Sequence, residues 1–328
     1  MSKALRVTMV LALSVGIALG TLAPIRAAQG KKYTIAVIPK GTTHEFWKSV
    51  HAGAAKAAKE LGVQIVWKGP LKEDDREAQI KVVESFLISG ADGIVLAPLD
   101  DRALVPVVHN AIARKIPVVI IDSDLRSERY VSFVATDNYK GGVLGARRLA
   151  QVLGGKGKII MMRYAEGSAS TSQREAGFLD TIKKEFPGIE VVSENQYGGA
   201  TTESSQRKAE TLLLRFQDID GIFCPNESTT FGMLLALQAA GRDGKVKFVG
   251  FDSSEKLNQA LRERRIEGLV LQNPLRMGYL GVKTMVDSLN GKKAEKRIDT
   301  GCTVATPENM DTPEMKELLS PDLKQWLD

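Results

Sequence analysis

The sequence predicts an α/β protein built as two doubly wound, Rossmann-like lobes, and three observations predict it. Short apolar runs rich in branched residues alternate with segments of helical spacing, the pattern of strands buried on both faces and joined by crossover helices. The alternation begins near residue 33, runs to about residue 135 and then starts again, so two half-chains share one plan. A length of 328 residues allows one large domain or two ordinary ones, and 43% apolar with 26% charged residues excludes a disordered or collagen-like chain.

At the amino terminus, Lys3 and Arg6 precede an apolar run at 7–19, then Pro24 and the small pair Ala27-Ala28. These are the charged, apolar and cleavage regions of a secretory signal peptide over residues 1–28. The run has about 13 residues, short of the roughly 20 that cross a bilayer as a helix. A signal anchor is the alternative, since Arg26 spoils the cleavage box, and the region has no cysteine to carry a lipid. The rest is expected to be periplasmic or otherwise extracytoplasmic. Removing Lys3, Arg6 and Arg26 lowers the net charge from +6 to +3, and no basic stripe interleaved with aromatics appears, so no nucleic-acid partner is expected.

In the first half, strands are expected at 33–38, 63–67, 93–97, 117–121 and 131–135, with helices at 45–61, 76–89 and 103–114. The acidic run Glu73-Asp74-Asp75 reads as a solvated helix start, where the helix dipole favours anions. In the second half, strands are expected at 158–162, 189–193, 221–224, 247–251 and 268–271, separated by helices at 172–185, 202–216, 229–240 and 254–264. A further helix at 276–289 leads to an extended stretch through Cys302 and a polar tail with Pro307 and Pro313.

Cys224 and Cys302 can form one bridge in an oxidising compartment or serve as two small buried hydrophobes, and neither has a nearby histidine to make it a catalytic thiol. His44, His51 and His109 are too few for a multi-ligand metal site. Glycines 141, 142, 154, 155 and 157 match neither a dinucleotide fingerprint nor a P-loop. No cofactor and no metal are expected.

Ligands of doubly wound sheets bind outside the carboxyl ends of the strands. There the sequence offers Lys40, His44, Phe46 and Trp47 after the first strand, and Asp122, Ser123 and Asp124 after the fourth. The second half offers Arg174 near a helix start, Asn226-Glu227, Asp252, and Gln272-Asn273. Carboxylates, amides and a guanidinium beside aromatics suit a sugar or polyol, whose hydroxyls need fixed donors and acceptors and whose C–H faces need a flat apolar plate. Phe46 and Trp47 are adjacent on a helix and are not expected to face one core together, which leaves at least one for the plate. Asp122 and Asp252 have an alternative as caps of a turn and of the helix beginning near Ser254.

The chain resembles the periplasmic substrate-binding proteins of sugar ABC transporters, of the ribose-binding type, over essentially its whole exported length. Thr34-Ile-Ala-Val, Phe46-Trp47, Ile120-Ile-Asp122, Thr136-Asp-Asn138 with Gly141-Gly142, Gly167-Ser-Ala-Ser with Arg174-Glu-Ala-Gly-Phe178, Cys224-Pro-Asn226-Glu227, Val249-Gly-Phe-Asp252 and Gln272 carry the resemblance. It implies a type I periplasmic binding fold whose lobes close over the ligand, joined by crossovers near 135–137, 271–274 and 299–303. The first lobe would hold residues 33–136 and 273–300, the second 137–272 and 303–328. It further implies Phe46 and Trp47 as the aromatic wall, Asp122, Arg174, Asn226, Asp252 and Gln272 as hydroxyl partners, a membrane permease as partner, and a monomer. Both cysteines would then lie near the hinge.

Departures from the ribose pattern point to another sugar. Lys40 and His44 stand where ribose binders have small polar residues, Ser123 where they have arginine, and Gly198-Gly199 where they have a second-lobe aromatic. Ile38-Pro-Lys40, Lys68-Gly-Pro70 and Asp122-Ser-Asp124 are similar instead to the rhamnose- and autoinducer-2-binding branches. Lys40 can hold a hydroxyl, a carboxylate or a phosphate. With Asp122, Asp124 and Asp252 nearby, the pocket charge is expected to be balanced or acidic, which favours a neutral polyol.

Two further functions compete with delivery to a permease. A sugar sensor for a membrane kinase or chemoreceptor would use the same lobe closure. An enzyme would use Asp122 or Asp252 as general base, but a nucleophile elbow, metal set and cofactor fingerprint are all missing. A repressor of this fold is excluded by the export signal and the missing helix-turn-helix before Tyr33.

Overall fold

The structure is a computed structural model and describes residues 32–327. The signal segment at 1–28 lies outside the described residues. In the first lobe the chain alternates β1 (Thr34–Ile38), α1 (Glu45–Leu61), β2 (Gln64–Trp67), α2 (Arg76–Ser89), β3 (Gly93–Leu96), α3 (Val105–Ala113), β4 (Val118–Ile121) and β5 (Ser132–Ala135). The second lobe follows with α4 (Asn138–Leu153), β6 (Gly157–Arg163), α5 (Ala169–Glu185), β7 (Ile189–Tyr197), α6 (Thr202–Arg215), β8 (Gly221–Phe223), α7 (Glu227–Ala239), β9 (Lys247–Phe251), α8 (Glu255–Arg262) and β10 (Gly268–Gln272). Then come α9 (Pro274–Leu289), β11 (Arg297–Asp299), β12 (Cys302–Ala305), α10 (Pro313–Leu319) and α11 (Lys324–Leu327).

Each lobe is one six-stranded sheet, ordered β11-β5-β4-β3-β1-β2 in the first and β12-β10-β9-β8-β6-β7 in the second. All pairings are parallel except β10 with β12. The strands alternate between two cores: Ala36 and Ile38 of β1 pack on one face, Ile35 and Val37 on the other. Apolar runs without polar alternation are the sequence trace of this two-sided burial. The chain crosses between lobes after β5, between β10 and α9, and between β11 and β12.

Helix ends follow local chemistry. Asp75, Asp137, Thr201, Asn226, Ser254 and Asn273 cap α2, α4, α6, α7, α8 and α9 through their side chains. Helix α1 is different: its N-cap, His44, makes no capping bond, so its first N–H groups need a partner from elsewhere.

Two elements depart from the sequence reading. Helix α4 was not expected, because Gly141, Gly142 and Gly145 blur its period and lower its propensity. Residues 303–328 are expected to lie in the second lobe. Met315 and Leu319 of α10 do pack into that lobe's core, but Trp326 of α11 returns to α1 of the first lobe, with Lys56 and Lys59 Nζ 5.4 and 5.6 Å from its ring. An indole stacked under two amines stabilises that return where the apolar pattern of four residues is too short to announce it.

The glycines that hide α4 are what let it approach α5. A Cβ on Gly142 would lie 2.0 Å from the Arg174 carbonyl oxygen and 2.7 Å from the Phe178 nitrogen. Since α5 backbone would have to move, Gly142→Ala should destabilise the fold by about 1–3 kcal/mol, the usual cost of overpacking. A thermal melt should show a drop of roughly 2–4 °C per kcal/mol, and an unchanged melting temperature would contradict this packing.

Candidate functional site

The carboxyl ends of both sheets face each other, and the loops that leave them enclose a crevice. Its walls include Lys40, His44, Phe46, Trp47, Glu73 and Asp122 from the first lobe and Tyr164, Ser170, Thr171, Arg174, Asn226, Glu227, Asp252 and Gln272 from the second. Nearly all are buried, and they leave a narrow cavity of about 30 Å³ between them. Two wider clefts, near 490 and 480 Å³, adjoin it. The chemistry concentrates in the small one.

Asp122 and Asp252 stand one residue beyond β4 and β9, and both adopt left-handed backbone, φ 61° and 66°. Such φ values are uncommon for non-glycine residues and mark a site where backbone geometry serves a side-chain position. Asp122 accepts Lys40 Nζ at 3.1 Å. Lys40 also donates across the lobes to Ser168 and Ser170 Oγ, at 3.3 and 3.1 Å. Asp252 accepts from Gln272 Nε2 at 2.7 Å and from the Glu227 backbone at 3.1 Å. Asp252 does not cap α8, which Ser254 caps itself; it takes the first N–H of α7 instead.

Arg174 lies between them. Its Nε donates to Asn138 Oδ1 and its Nη1 to the Pro225 carbonyl, the guanidinium carbon stands 4.1 Å from the Phe251 ring centroid, and the two aspartates approach at 4.0 and 3.9 Å. Among the described residues its Nη2 has no hydrogen-bond partner, and neither has Gln272 Oε1. One buried donor and one buried acceptor are therefore unsatisfied at the crevice, and such groups cost free energy until something pairs them.

Glu227 supplies what α1 lacks. Its carboxylate, from the second lobe, accepts the Glu45 and Phe46 backbone N–H groups at 3.2 and 3.1 Å, a favourable place for an anion. Burial nevertheless pushes its pKa up to about 7, offset in part by His44 and these N–H groups. Burial likewise raises Asp252, against the pull of Arg174 and Gln272.

Nine of the eleven expected side chains meet at the crevice: Lys40, His44, Phe46, Trp47, Asp122, Arg174, Asn226, Asp252 and Gln272. Two do not. Ser123 is fully buried behind it, accepting the Ser170 N–H at 3.1 Å. Asp124 is drawn away by Tyr130 Oη at 2.8 Å and Arg297 at 2.7 Å, toward the neighbouring cleft. Phe46 and Trp47 do share one core, against expectation. They meet edge to face at 4.9 Å, and because they form the first turn of α1, its end as well as its side is covered.

Glu73, read as solvated, is buried among Trp47, His44 and Tyr164. Tyr164 supplies an aromatic from the second lobe where Gly198-Gly199 suggested none; it directly follows β6, so the strand-end rule pointed to it. Glu227 was noted after β8 for the same reason, but its reach to α1 left no mark in the sequence. Cys224 and Cys302 are both free, and burial raises both thiols, Cys302 to about 11. Among the described residues no group of histidines, cysteines or carboxylates could hold a metal.

Comparison with known proteins places this geometry. The family described as "Periplasmic binding protein domain" matches residues 35–293. A D-ribose/D-allose-binding protein of Pseudomonas aeruginosa is 31% identical over 299 residues, 89% of this chain and 92% of that protein. A carbohydrate transporter solute-binding protein from Agrobacterium radiobacter, solved with D-arabinose, superposes with a TM-score of 0.85 at 34% identity, over 89% of this chain and 100% of that one. An ABC transporter solute-binding protein from Agrobacterium vitis with bound D-fucose gives 0.84 at 37%, over 87% and 99%.

The raised Glu227 pKa has a sign. The folded state holds this proton more tightly than the unfolded one, so the stabilisation is complete below about 4.5 and is lost as pH rises through about 7. Glu227→Gln removes the effect. Relative to wild type, the variant should gain stability between pH 5 and pH 8, by up to about 3 kcal/mol. Glu175, also raised by burial to about 7, cancels in the comparison. A constant difference in denaturation midpoint across that range would refute the assignment.

Proposed function

Since this chain belongs to the periplasmic binding protein domain family, we propose that it is the extracytoplasmic substrate-binding component of an ABC sugar importer. It holds a small neutral sugar or polyol between its lobes and hands it, unaltered, to a membrane permease. The observation that carries this reading is the pair of buried, unpartnered atoms, Arg174 Nη2 and Gln272 Oε1. A hydroxyl both accepts and donates, so two hydroxyls of one sugar satisfy the guanidinium and the amide together.

The charges agree with a neutral guest. Lys40, His44 and Arg174 face Glu73, Asp122, Glu227 and Asp252, and burial already keeps Glu227 partly protonated near neutrality. A carboxylate or phosphate would upset this balance. Phe46, Trp47 and Tyr164 offer apolar surface to the C–H faces of a ring. The sugars named for related structures, D-arabinose and D-fucose, are neutral polyols of this kind.

The crevice is walled by buried side chains of both lobes, so a sugar enters only when the lobes part. It then bridges them, binds the closed arrangement better and shifts the population toward it. A permease need recognise only that shape. Export fits the amino-terminal segment at 1–28, and among the described residues no helix is long and apolar enough to cross a membrane. Nothing at the crevice requires chemistry on the guest.

Small molecules released from the purified protein and identified by mass spectrometry should include an intact sugar, and adding it back should compact the protein in solution scattering. Conversion of the sugar would instead reveal an enzyme. Asp252→Ala should weaken calorimetric affinity by about tenfold to a hundredfold, the loss of one or two charge-assisted bonds. Lys40→Met should change which sugar is preferred and, by leaving buried Asp122 without its 3.1 Å partner, should also lower the ligand-free melting temperature; an unchanged sugar preference would make Lys40 a structural residue only.

A further inference from the structure

Glu73 lies on the loop between β2 and α2, in the acidic run that looks like an ordinary helix start. Asp75, two residues on, does cap α2. Glu73 turns inward and is only 7% exposed. One oxygen, Oε1, takes the Trp47 indole N–H at 2.5 Å and His44 Nδ1 at 2.7 Å. The other, Oε2, takes the Tyr164 hydroxyl at 2.6 Å from the opposite lobe. All four side chains line the crevice.

We propose that Glu73 is a positioning residue for sugar binding: it fixes the plane of Trp47, holds the His44 ring at the crevice wall, and ties the second lobe shut through Tyr164. The proposal rests on the sugar-binding reading and adds to it a residue that does not itself need to touch the sugar. An indole has one donor, so a single bond to a buried acceptor sets the orientation of its flat face. A buried carboxylate is weak evidence for stability, because an apolar group of the same shape often does as well. Three unlike donors meet on one carboxylate, two from the start of α1 and one from the opposite lobe, and that is what geometry control requires.

The charges around the hub are accounted for from every side. His44 faces Glu73 on the β2–α2 loop, Glu227 on α7 and Asp252 at the end of β9; Glu73 also faces Lys40 after β1. Tyr164 faces Glu73, Asp122 and Asp74. Burial disfavours the imidazolium, yet Glu73, through charge and hydrogen bond, pulls its pKa up to about 9. Burial works against Glu73 as well, and His44, Lys40 and Tyr164 bring it down to about 2. His44 is therefore charged below about 9 and loses its proton as pH rises through that value.

Calorimetry with D-ribose, D-allose, D-arabinose and D-fucose between pH 6 and 10, combined with nitrogen-15 NMR of wild type, Glu73→Gln and Tyr164→Phe, tests the proposal. With only three histidines and three tryptophans in the chain, the His44 and Trp47 signals can be assigned. In wild type His44 should titrate near 9, and the Trp47 indole proton should resonate far downfield. Glu73→Gln should lower the His44 titration toward or below its ordinary value, move the Trp47 signal upfield, and weaken affinity about tenfold to a hundredfold at pH 8. Tyr164→Phe should spare both NMR signals and weaken affinity by about threefold to tenfold. Sugar binding by Glu73→Gln with wild-type affinity and pH profile overturns the proposal alone. Wild-type protein that binds neither these four sugars nor any sugar released from it on purification sinks the receptor reading and the proposal with it. Should Glu73→Gln fail to fold, wild-type affinity in Tyr164→Phe together with a wild-type His44 titration at the ordinary imidazole value overturns it equally.

Discussion

Seven ionisable side chains sit out of water between the lobes, and they can do so only because they are paired with one another. Lys40, His44 and Arg174 face Glu73, Asp122, Glu227 and Asp252. An isolated charge in such a place would cost several kcal/mol or lose its ionisation. Pairing across the lobes converts that cost into a geometric requirement. Lys40 reaches Ser168 and Ser170, Glu73 reaches Tyr164, and Glu227 reaches the start of α1. Closure thus aligns two separate sheets to within hydrogen-bond distance, where a polyol can bridge them.

The fold supplies the stiffness that this alignment needs. Arg174 is carried on α5, which meets α4 where neither Gly142 nor Gly177 bears a side chain. On the other lobe α1 meets α9 in the same manner, a Cβ on Gly278 falling 2.0 Å from the Val50 carbonyl oxygen. Helices that approach this closely pack backbone against backbone and leave the residues they carry little freedom. The first turn of α1, with Phe46 and Trp47, and the arginine of α5 are in this way brought to the crevice from opposite lobes by the same device.

How much of this is legible in the sequence differs by residue. Asp122, Asp252 and Gln272 follow or end apolar runs, and the rule that ligands gather at strand ends singles them out. Arg174, Asn226 and the aromatic pair stand in spaced motifs that match a known family in order. Asp124 obeys the same local rules as Asp122 and is nevertheless captured by Tyr130 and Arg297, because β11 brings Arg297 alongside β5 from more than 160 residues away. Glu73 fails in the opposite sense. Its neighbours Asp74 and Asp75 behave as an acidic helix start should, and the inward turn of one side chain depends on an indole, an imidazole and a phenol that are distant in sequence.

Periodicity by itself determined the two doubly wound lobes, since strands buried on both faces must be apolar throughout and their crossover helices must keep a 3.6-residue stripe. Residue types at strand ends determined most of the crevice. Tertiary structure alone decided which carboxylate pairs with which donor, which helix borrows its cap from the other lobe, and that two cysteines remain thiols. Those outcomes depend on distances between segments that share no local rule. A parallel sheet fixes where each strand ends, while the partner a buried charge finds there is set by whatever the opposite lobe presents.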